Sequence, residues 1–381
     1  MKKIERIIEN QLIKEWNSRK VIVVLGPRQV GKTTLIKNLC TKKGEFLFLN
    51  GDDPSIITLL NNAGENQLKQ IIGKYKTVFI DEAQRIPNIG ITAKIIHDQL
   101  KGVRLILSGS SSLELANHLN EPLTGRKWEH LLYPISWQEF SDYSGFLKAK
   151  LNLNTRLVYG MYPEVITAQE NASDVLKQLA GSYLYKDILQ YGGIRKPEIL
   201  QKLLMALALQ IGSEVNYNEL ANTLRIDRNT VENYIQLLEK VFVIFRLNPL
   251  CRNVRNELSS GRKIYFYDNG IRNALLGDFK PVEIRNDIGQ LWENFIISER
   301  MKLNGYANKT MFSYYWRTYQ QQEIDLIEEK NGKFSAFECK WNSAKKSKFS
   351  KTFFDNYQPK QMNVINPENF TDYLLKFSNE K

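Results

Sequence analysis

Eight consecutive residues near the N-terminus have the types and spacing needed to bind a nucleoside triphosphate. They match the P-loop pattern G-x-x-x-x-G-K-[ST] without a mismatch. The glycines let backbone N–H groups face phosphate oxygens at the start of a helix, where Lys32 would reach the β- and γ-phosphates and Thr33 would bind Mg²⁺. A glycine-rich turn without function is the alternative. The residues predicted to bind ATP with Mg²⁺ are Gly26, Pro27, Arg28, Gln29, Val30, Gly31, Lys32, Thr33 and Thr34.

Acidic residues after a later strand-like run would complete an ATPase site. Asp81 and Glu82 directly follow the run 76–80, as in a Walker B motif. Because ligands bind at the carboxyl ends of parallel strands, Asp81 is expected to hold the Mg²⁺ and Glu82 to polarise the attacking water. A helix N-cap is the other use of such a pair. Ser108 is expected to sense the γ-phosphate, and Arg126, unless it is a plain surface charge, to neutralise developing charge in its own or a neighbouring subunit.

A second group of charged residues lies on a predicted β-hairpin near the C-terminus. Asn331 and Gly332 separate two strand-like runs and predict a two-residue type I′ turn. That turn fixes the register of the two strands and places alternate residues on one face. The expected pairs are Lys330 with Lys333, Asp325 with Glu338, and Glu323 with Lys340.

The facing carboxylates of this hairpin predict a site for a divalent metal. Asp325 and Glu338 would have Cβ atoms about 5 Å apart and would repel each other unless a cation lay between them. Oxygen ligands suit Mg²⁺ or Mn²⁺, Glu293 on a predicted helix could add a carboxylate, and Lys340 could activate a water. The open alternative is a solvent-facing hairpin in which Glu323 and Lys340 form a surface ion pair.

Alternating apolar strands and helices must position the first of these sites. Apolar runs at 21–25, 46–49, 76–80 and 103–107 predict parallel strands. Beyond residue 131 the sequence becomes helical and rich in tyrosine, so the ATPase core is expected to end near residue 140. Gly192 and Gly193 predict a further boundary.

A helix-turn-helix is predicted between the two groups of charged residues. The apolar pattern predicts helices at 199–211, 217–224 and 228–240, with Asp227 as the N-cap of the last, and then a strand at 241–247 that would form a wing. In DNA-binding versions the second helix of the motif enters the major groove. The alternative is a module that only packs against protein.

Composition and charge restrict the class of protein. With 381 residues, 43% of them hydrophobic and 25% charged, the chain is neither disordered nor a membrane protein. The amphipathic N-terminal segment lacks the apolar stretch of a signal peptide, and Cys40, Cys251 and Cys339 fit no disulfide or metal pattern, so the cytoplasm is expected. A formal net charge of +12 favours nucleic acid as a partner, although it would also serve solubility alone.

Taken together, the motifs resemble those of bacterial and archaeal AAA-type (AAA_14-like) ATPases fused to a C-terminal domain of the restriction-endonuclease-like, or PD-(D/E)xK, type. The resemblance covers nearly the whole chain. The segments that carry it are 26–33, 78–84, 107–110, 123–126, 132–140, 263–270, 291–295, 323–325 and 338–340.

The resemblance implies an α/β fold with a P-loop, ASCE-type parallel sheet, a helical lid, a winged-helix-like unit and an α/β restriction-endonuclease-like domain. It implies catalytic roles for Glu82, Arg126 and Lys340, and a nuclease site that binds Mg²⁺ or Mn²⁺. The metal ligands at that site would be Glu293, Asp325 and Glu338. The expected domains, in the same order, are residues 1–140, 141–196, 197–255 and 256–381.

The function expected from these features is an ATP-hydrolysing switch or motor coupled to metal-dependent cleavage of DNA. One alternative is a nucleotide-switched regulator that binds DNA or protein and whose nuclease fold does not cleave. Another is an ATPase that remodels a protein partner. A homo-oligomer is expected if Arg126 acts in a neighbouring subunit, and no membrane is expected as a partner.

Overall fold

The computed structural model describes residues 3–110, 122–168, 171–183, 197–250, 261–307, 311–344 and 349–375. Its internal contacts divide the chain into two units. The first consists mainly of residues 1–135, and the second mainly of residues 136–239 and 243–381. The predicted boundary at Gly192 and Gly193 lies outside the described residues, as does Cys251.

The first unit contains a five-stranded sheet in which every pairing is parallel. The sheet order is β2-β3-β4-β1-β5. The strands are β1 (Val21–Leu25), β2 (Leu47–Asn50), β3 (Thr77–Asp81), β4 (Arg104–Gly109) and β5 (Lys127–Leu131). The helices are α1 (Ile7–Glu15), α2 (Lys32–Lys43), α3 (Pro54–Leu60), α4 (Glu65–Ile72) and α5 (Ile89–Gln99).

The four apolar runs predicted as parallel strands are confirmed, with ends that shift by one or two residues. All five residues of β1 are buried, because the strand lies between β4 and β5 and is covered on both faces. The prediction missed β5. This strand lies at the edge of the sheet, and its sequence, from Lys127 to Leu131, contains no apolar run.

The second unit contains a seven-stranded mixed sheet. Its order is β12-β11-β10-β9-β7-β8-β6. The strands are β6 (Glu214–Val215), β7 (Ile244–Pro249), β8 (Arg262–Phe266), β9 (Phe312–Arg317), β10 (Glu323–Lys330), β11 (Lys333–Cys339) and β12 (Gln361–Ile365).

The helices of the second unit precede and interrupt these strands. The first five are α6 (Trp137–Ser144), α7 (Phe146–Leu151), α8 (Leu153–Tyr159), α9 (Pro163–Thr167) and α10 (Ala172–Gln178). The next three are α11 (Pro197–Leu209), α12 (Tyr217–Leu224) and α13 (Arg228–Lys240). The last four are α14 (Asn269–Leu276), α15 (Ile288–Tyr306), α16 (Lys351–Tyr357) and α17 (Phe370–Leu374). No helix in the described part of the chain combines the length and the apolar character needed to cross a membrane.

The three helices predicted around the helix-turn-helix are present. The N-cap of α13 is confirmed, since the N–H of Thr230 donates to Oδ1 of Asp227 (2.8 Å). The strand predicted as a wing is β7, which pairs antiparallel with β8 and parallel with β9. It therefore lies inside the seven-stranded sheet. The winged-helix-like unit and the four-domain division stay predictions.

The hairpin of β10 and β11 has the predicted turn, and its register is confirmed from the turn as far as Leu326 and Phe337. Asn331 and Gly332 have φ values of 53° and 74°, as a type I′ turn requires. Lys330 pairs with Lys333, and the pairing continues without a shift to Leu326 and Phe337. The strands thereby bring Asp325 and Glu338 to the same end of the hairpin.

Candidate functional site

The backbone of the P-loop curls tightly between β1 and α2. A methyl group on Gly26 would lie 2.1 Å from the carbonyl oxygen of Leu132, so only glycine fits. Gly31, the N-cap of α2, has φ of 93°, a left-handed conformation that glycine adopts without strain. The loop residues Pro27, Arg28, Gln29 and Val30 connect these two glycines, and Thr34 is exposed in the first turn of α2. The loop therefore has the form of an anion-binding turn at a helix N-terminus.

The amine of Lys32 is held inside this loop. Its Nζ donates to the carbonyl oxygens of Gly26 (2.9 Å) and Pro27 (2.8 Å), and the side chain is buried. Because these two acceptors are neutral, a phosphate oxygen would be a stronger partner for the ammonium group. The position of Lys32 thus agrees with its predicted role in binding the β- and γ-phosphates.

The hydroxyl–carboxylate pair predicted to bind Mg²⁺ is assembled. Oγ1 of Thr33 donates to Oδ2 of Asp81 (2.6 Å), so two hard oxygen donors of the kind that Mg²⁺ accepts lie side by side. The hydroxyl of Ser108 donates to the other carboxylate oxygen of Asp81 and is fully buried. Ser108 reaches Asp81 because β3 and β4 are neighbours in register, so it positions this carboxylate. Its role in sensing the γ-phosphate stays a prediction.

Glu82 lies in a strained position with two polar partners. Its backbone adopts a left-handed conformation with φ of 46°, which is unusual outside glycine and occurs mostly at functional sites. Its Oε2 accepts from Nε2 of Gln84 (2.5 Å) and from Oγ of Ser110 (3.1 Å). Gln84 also donates to Ser110 (3.1 Å). These contacts fix the carboxylate that is predicted to polarise the attacking water.

Arg126 lies at the other end of the sheet from the P-loop. Its carbonyl oxygen accepts from the N–H of Val21, at the start of β1, whereas Gly26 follows the end of β1. Five strand residues separate these points by about 17 Å, which is more than an arginine side chain spans. The guanidinium instead forms an ion pair with Asp98 (3.0 Å). The expected role within its own subunit is therefore wrong, and a role in a neighbouring subunit stays a prediction.

Arg6, which belongs to no recognised motif, is the N-cap of α1 and contacts the P-loop. The residue is 7% exposed, and its guanidinium donates to the carbonyl oxygens of Val30 (2.7 Å) and Tyr133 (2.6 Å). One of its nitrogens lies 3.9 Å from the position of a Cβ on Gly31. Arg6 thus holds the Val30 carbonyl in place within the loop.

In the second unit the four predicted charged residues share one pocket. This carboxylate pocket has a volume of about 700 Å³. It is lined by Glu293 from α15, by Glu323 and Asp325 from β10, and by Glu338 and Lys340 at the end of β11. Lys263 from β8 also lines it. Asp325 and Glu338 are buried, which argues against the alternative of a solvent-facing hairpin.

Two lysines neutralise most of these carboxylates. Nζ of Lys340 lies 2.7 Å from Oε2 of Glu338 and 3.7 Å from Oδ2 of Asp325. Nζ of Lys263 lies 3.1 Å from Oε1 of Glu293 and forms a second ion pair with Glu323. For both lysines burial disfavours the charged form, but the neighbouring carboxylates outweigh it and raise the pKa above its usual value.

Glu293 has a raised pKa. Burial and then the charge of Asp325 raise the pKa of Glu293 to about 7, although Lys263 and a hydrogen bond from Tyr265 (2.7 Å) oppose that shift. Oδ2 of Asp325 in turn accepts from the N–H of Cys339 (2.8 Å). The pocket therefore contains carboxylates in different environments.

The carboxylate pocket offers oxygen donors of the right type for Mg²⁺ or Mn²⁺, but in this arrangement the donors are paired with lysines. Among the described residues, no three His, Cys, Asp or Glu side chains are grouped so that they could hold a metal ion. A metal at Glu293, Asp325 and Glu338 would have to displace the amines of Lys263 and Lys340 from their partners. The P-loop site, with Thr33 beside Asp81, fits its metal without such a change.

Several residues that shape the two sites were missed from sequence. Gln84 and Ser110 lie in motifs that were recognised, so their roles could have been proposed. Lys263 and Tyr265 alternate along β8, and a period of two places them on one face. No local pattern connects Arg6 to the P-loop.

A parallel α/β sheet with a P-loop after β1 and an acidic pair at the end of β3, one strand removed from β1, is the arrangement of a P-loop ATPase. Residues 18–141 match the family model described as "AAA domain". Residues 150–281 and 288–377 match two further models, each described as a domain of unknown function (DUF8612 and DUF4143). The match at the C-terminus does not confirm a restriction-endonuclease-like domain.

Relatives and a solved structure extend over most of the chain. "Uncharacterized protein Rv2008c" of Mycobacterium tuberculosis is 28% identical over 328 residues, which are 85% of this chain and 70% of that protein. "Uncharacterized protein MJ1637" of Methanocaldococcus jannaschii is 24% identical over 316 residues, 72% of this chain and 64% of that protein. The solved structure of the "Walker-type ATPase paby2304" of Pyrococcus abyssi has a TM-score of 0.50 and 16% identity. It covers 72% of this chain and 96% of that one, and the likeness shows a shared fold.

Proposed function

We propose that this ATPase couples ATP hydrolysis to the action of its second unit on DNA. The observation that carries the ATPase part is the cluster of Thr33, Asp81 and Glu82 beside the P-loop. Thr33 and Asp81 would hold Mg²⁺, which lowers the charge on the phosphates. Glu82 would accept a proton from the attacking water, and Lys32 would exchange the two loop carbonyls for phosphate oxygens.

For the second unit we propose a nuclease-like site at the carboxylate pocket. The supporting observation is that Glu293, Asp325, Glu338 and Lys340 line one pocket although they come from three elements. If substrate binding moved the amines of Lys263 and Lys340 away from their partners, Glu293, Asp325 and Glu338 would be the residues to hold Mg²⁺ or Mn²⁺, which would supply an activated water and neutralise charge on a phosphodiester. Lys340, which is 32% exposed, would point its ammonium group towards the same phosphate.

The unit that would deliver DNA is the one formed by α11, α12 and α13 with β6, β7 and β8. Its order of helices and strands is the one expected of a winged helix, and Arg228 and Asn229 are exposed at the start of α13. These are the positions that enter the major groove in helix-turn-helix proteins. We place the principal duplex contact there.

A regulator that binds without cleaving is the second candidate. The ion pairs of Lys263 and Lys340 favour it, because they neutralise the carboxylates without a metal. In that case the pocket would stabilise the fold, and the nucleotide state would control binding to DNA or protein.

A cleavage assay distinguishes these two candidates. Supercoiled plasmid and single-stranded DNA are incubated with Mg²⁺ or Mn²⁺, with and without ATP. The proteins are the wild type, Asp325→Ala, and Asp355→Ala as a control on the exposed face of α16. Cleavage that is lost only in Asp325→Ala supports the nuclease. DNA binding without cleavage under every condition supports the regulator.

A further inference from the structure

A basic cavity lies in the first unit, at the end of the sheet opposite the P-loop. Its volume is about 390 Å³. It is formed by the segment that precedes β1, by the first residues of β3 and β4, and by the ends of α2 and α5. Because the P-loop follows the carboxyl end of β1, the cavity at the amino ends is separate from the nucleotide site.

The lining of the cavity is strongly positive. No Asp or Glu lines it. His97, which also lines it, is paired with Asp98 just outside (2.7 Å), but the lysines and arginines of the lining form no ion pair with another described residue. The C-terminal ends of α2 and α5 each carry a partial charge of about −0.5, so together they offset about one of the five positive charges. The five are Arg19, Lys43, Lys76, Lys101 and Arg104.

Arg104 is a permanent cation in the wall of this cavity rather than a flexible surface charge. Its guanidinium is half-buried and donates to the carbonyl oxygen of Lys20 (2.6 Å), a neutral partner. Burial lowers the pKa of Arg104, since no carboxylate offsets the lost hydration. An anion bound in the cavity would compensate the Arg104 guanidinium for this lost hydration.

The wall next to Arg104 is held in place by aromatic contacts. Nε1 of Trp128 donates to Oγ of Ser18 (3.0 Å), and Nζ of Lys20 lies 4.1 Å from the centre of the Trp128 ring. On the other side, Nζ of Lys43 lies 5.8 Å from the centre of the Trp16 ring. The positive charges therefore line a cavity whose walls are held in place.

We propose that this cavity binds the phosphates of single-stranded nucleic acid. About four positive charges stay uncompensated, and a strand of phosphodiesters is the polyanion that would pair with them one after another. As a sphere the cavity would be roughly 9 Å across, within the range of small-ligand sites. A DNA duplex is wider than its own major groove, which is roughly 12 Å across, so a duplex cannot enter a cavity of this width whereas a single strand can. This inference deepens the proposed action on DNA by adding a contact on the ATPase unit.

Binding of a fluorescent 20-nucleotide single strand to the full chain, followed by anisotropy between 50 and 300 mM salt, tests the proposal. The variant is Lys76→Gln with Lys101→Gln. We expect its affinity to fall about tenfold at low salt, and the slope of log affinity against log salt to fall by about 1.4, which is two contacts at about 0.7 each. The matched control, Lys148→Gln with Lys150→Gln on α7, removes the same charge elsewhere and should change affinity less than twofold.

Two further variants serve as controls for the binding experiment. Lys76→Arg with Lys101→Arg should bind like the wild type, which excludes misfolding as the cause of any loss. Arg228→Gln tests the proposed duplex contact on α13 independently.

If Lys76→Gln with Lys101→Gln binds single-stranded DNA with the wild-type salt slope while Arg228→Gln weakens binding to duplex, the cavity proposal is overturned and the action on DNA stands. If the Gln pair loses binding but no protein cleaves DNA, the nuclease proposal falls and the cavity stands. A wild type that binds no single strand at 50 mM salt overturns the cavity proposal.

Discussion

In the P-loop site the amine of Lys32 is held by two neutral carbonyl oxygens, whereas in the carboxylate pocket the amines of Lys263 and Lys340 are held by carboxylates. A triphosphate that enters the first site offers Lys32 a charged acceptor in place of a neutral one. A metal that enters the second site must compete with ammonium groups that are already paired. Lys32 in the P-loop site can thus exchange its partners for a phosphate. In the carboxylate pocket the lysines already neutralise most of the carboxylate charge without a ligand.

The largest effect that this comparison predicts is on ATP turnover. We expect Glu82→Gln to lower the rate of hydrolysis by about 10²–10⁴-fold while ATP still binds, because the amide cannot accept the proton of the attacking water. Lys32→Ala should lose turnover as well, with weaker ATP binding. Phosphate release and nucleotide affinity are measured in parallel, with Glu65→Gln on the exposed side of α4 as the control. Normal turnover in both variants would show that the P-loop site does not hydrolyse ATP.

In the carboxylate pocket the largest expected effect is on stability. Lys263 is 2% exposed, and Lys263→Met leaves Glu293 and Glu323 without their common cation. Loss of one partner from a buried ion pair costs about 3–5 kcal/mol. Denaturant unfolding should therefore show a clearly lower free energy for Lys263→Met. Lys351→Met, at the exposed rim of the same pocket, should change it little.

The same variant tests whether the pocket can hold a metal. With the amine of Lys263 gone, the carboxylates would lack a counter-ion, so Mn²⁺ should raise the unfolding midpoint of Lys263→Met more than that of the wild type. An equal response of both proteins would indicate that Lys263 and the metal do not compete.

The pH dependence of stability sharpens the contrast further. The pKa of Glu293 is raised from 4.5 to about 7 in the folded chain. A raised pKa means that the folded state binds the proton more tightly, so the stability contributed by Glu293 is complete below about pH 4.5 and is lost as the pH rises towards 7. The loss is about 1.4 kcal/mol for each unit of pKa shift. Unfolding in EDTA at pH 4.5, 6 and 7.5 should show this loss in the wild type and not in Glu293→Gln.

Local sequence carries enough information for the parts of both sites that are made within one segment. The P-loop needs Gly26, Gly31 and a helix that starts at Lys32, and each of these follows from neighbouring residues. The hairpin register follows from the turn at Asn331 and Gly332, because a two-residue turn allows only one pairing. The proximity of Asp325 and Glu338 could therefore be predicted from the sequence.

Contacts between distant segments could not be predicted in this way. The edge strand β5 forms because β1 offers it hydrogen bonds, not because its residues are apolar. Arg126 was predicted to reach the nucleotide in its own subunit. Only the register of β5 against β1 shows that Arg126 lies at the opposite end of the sheet. Lys263 lies 30 residues from Glu293 in the chain, and its pairing depends on the position of α15 against β8.

The smallest expected effect concerns Arg6, the long-range contact of the P-loop site. Arg6→Gln loses the charged hydrogen bonds to Val30 and Tyr133, so the Val30 carbonyl becomes free to turn towards the bound phosphates. We expect the KM for ATP to rise about tenfold, which corresponds to about 1.4 kcal/mol, with a smaller change in kcat. Arg6→Lys should recover part of the affinity, because an ammonium group can still reach one of the two carbonyls. Lys14→Gln on the exposed side of α1 removes the same charge and should leave KM unchanged. If Arg6→Gln lowered only the unfolding midpoint and not the affinity for ATP, Arg6 would stabilise the fold without preparing the P-loop, and the difference between the two sites would rest on Lys32 alone.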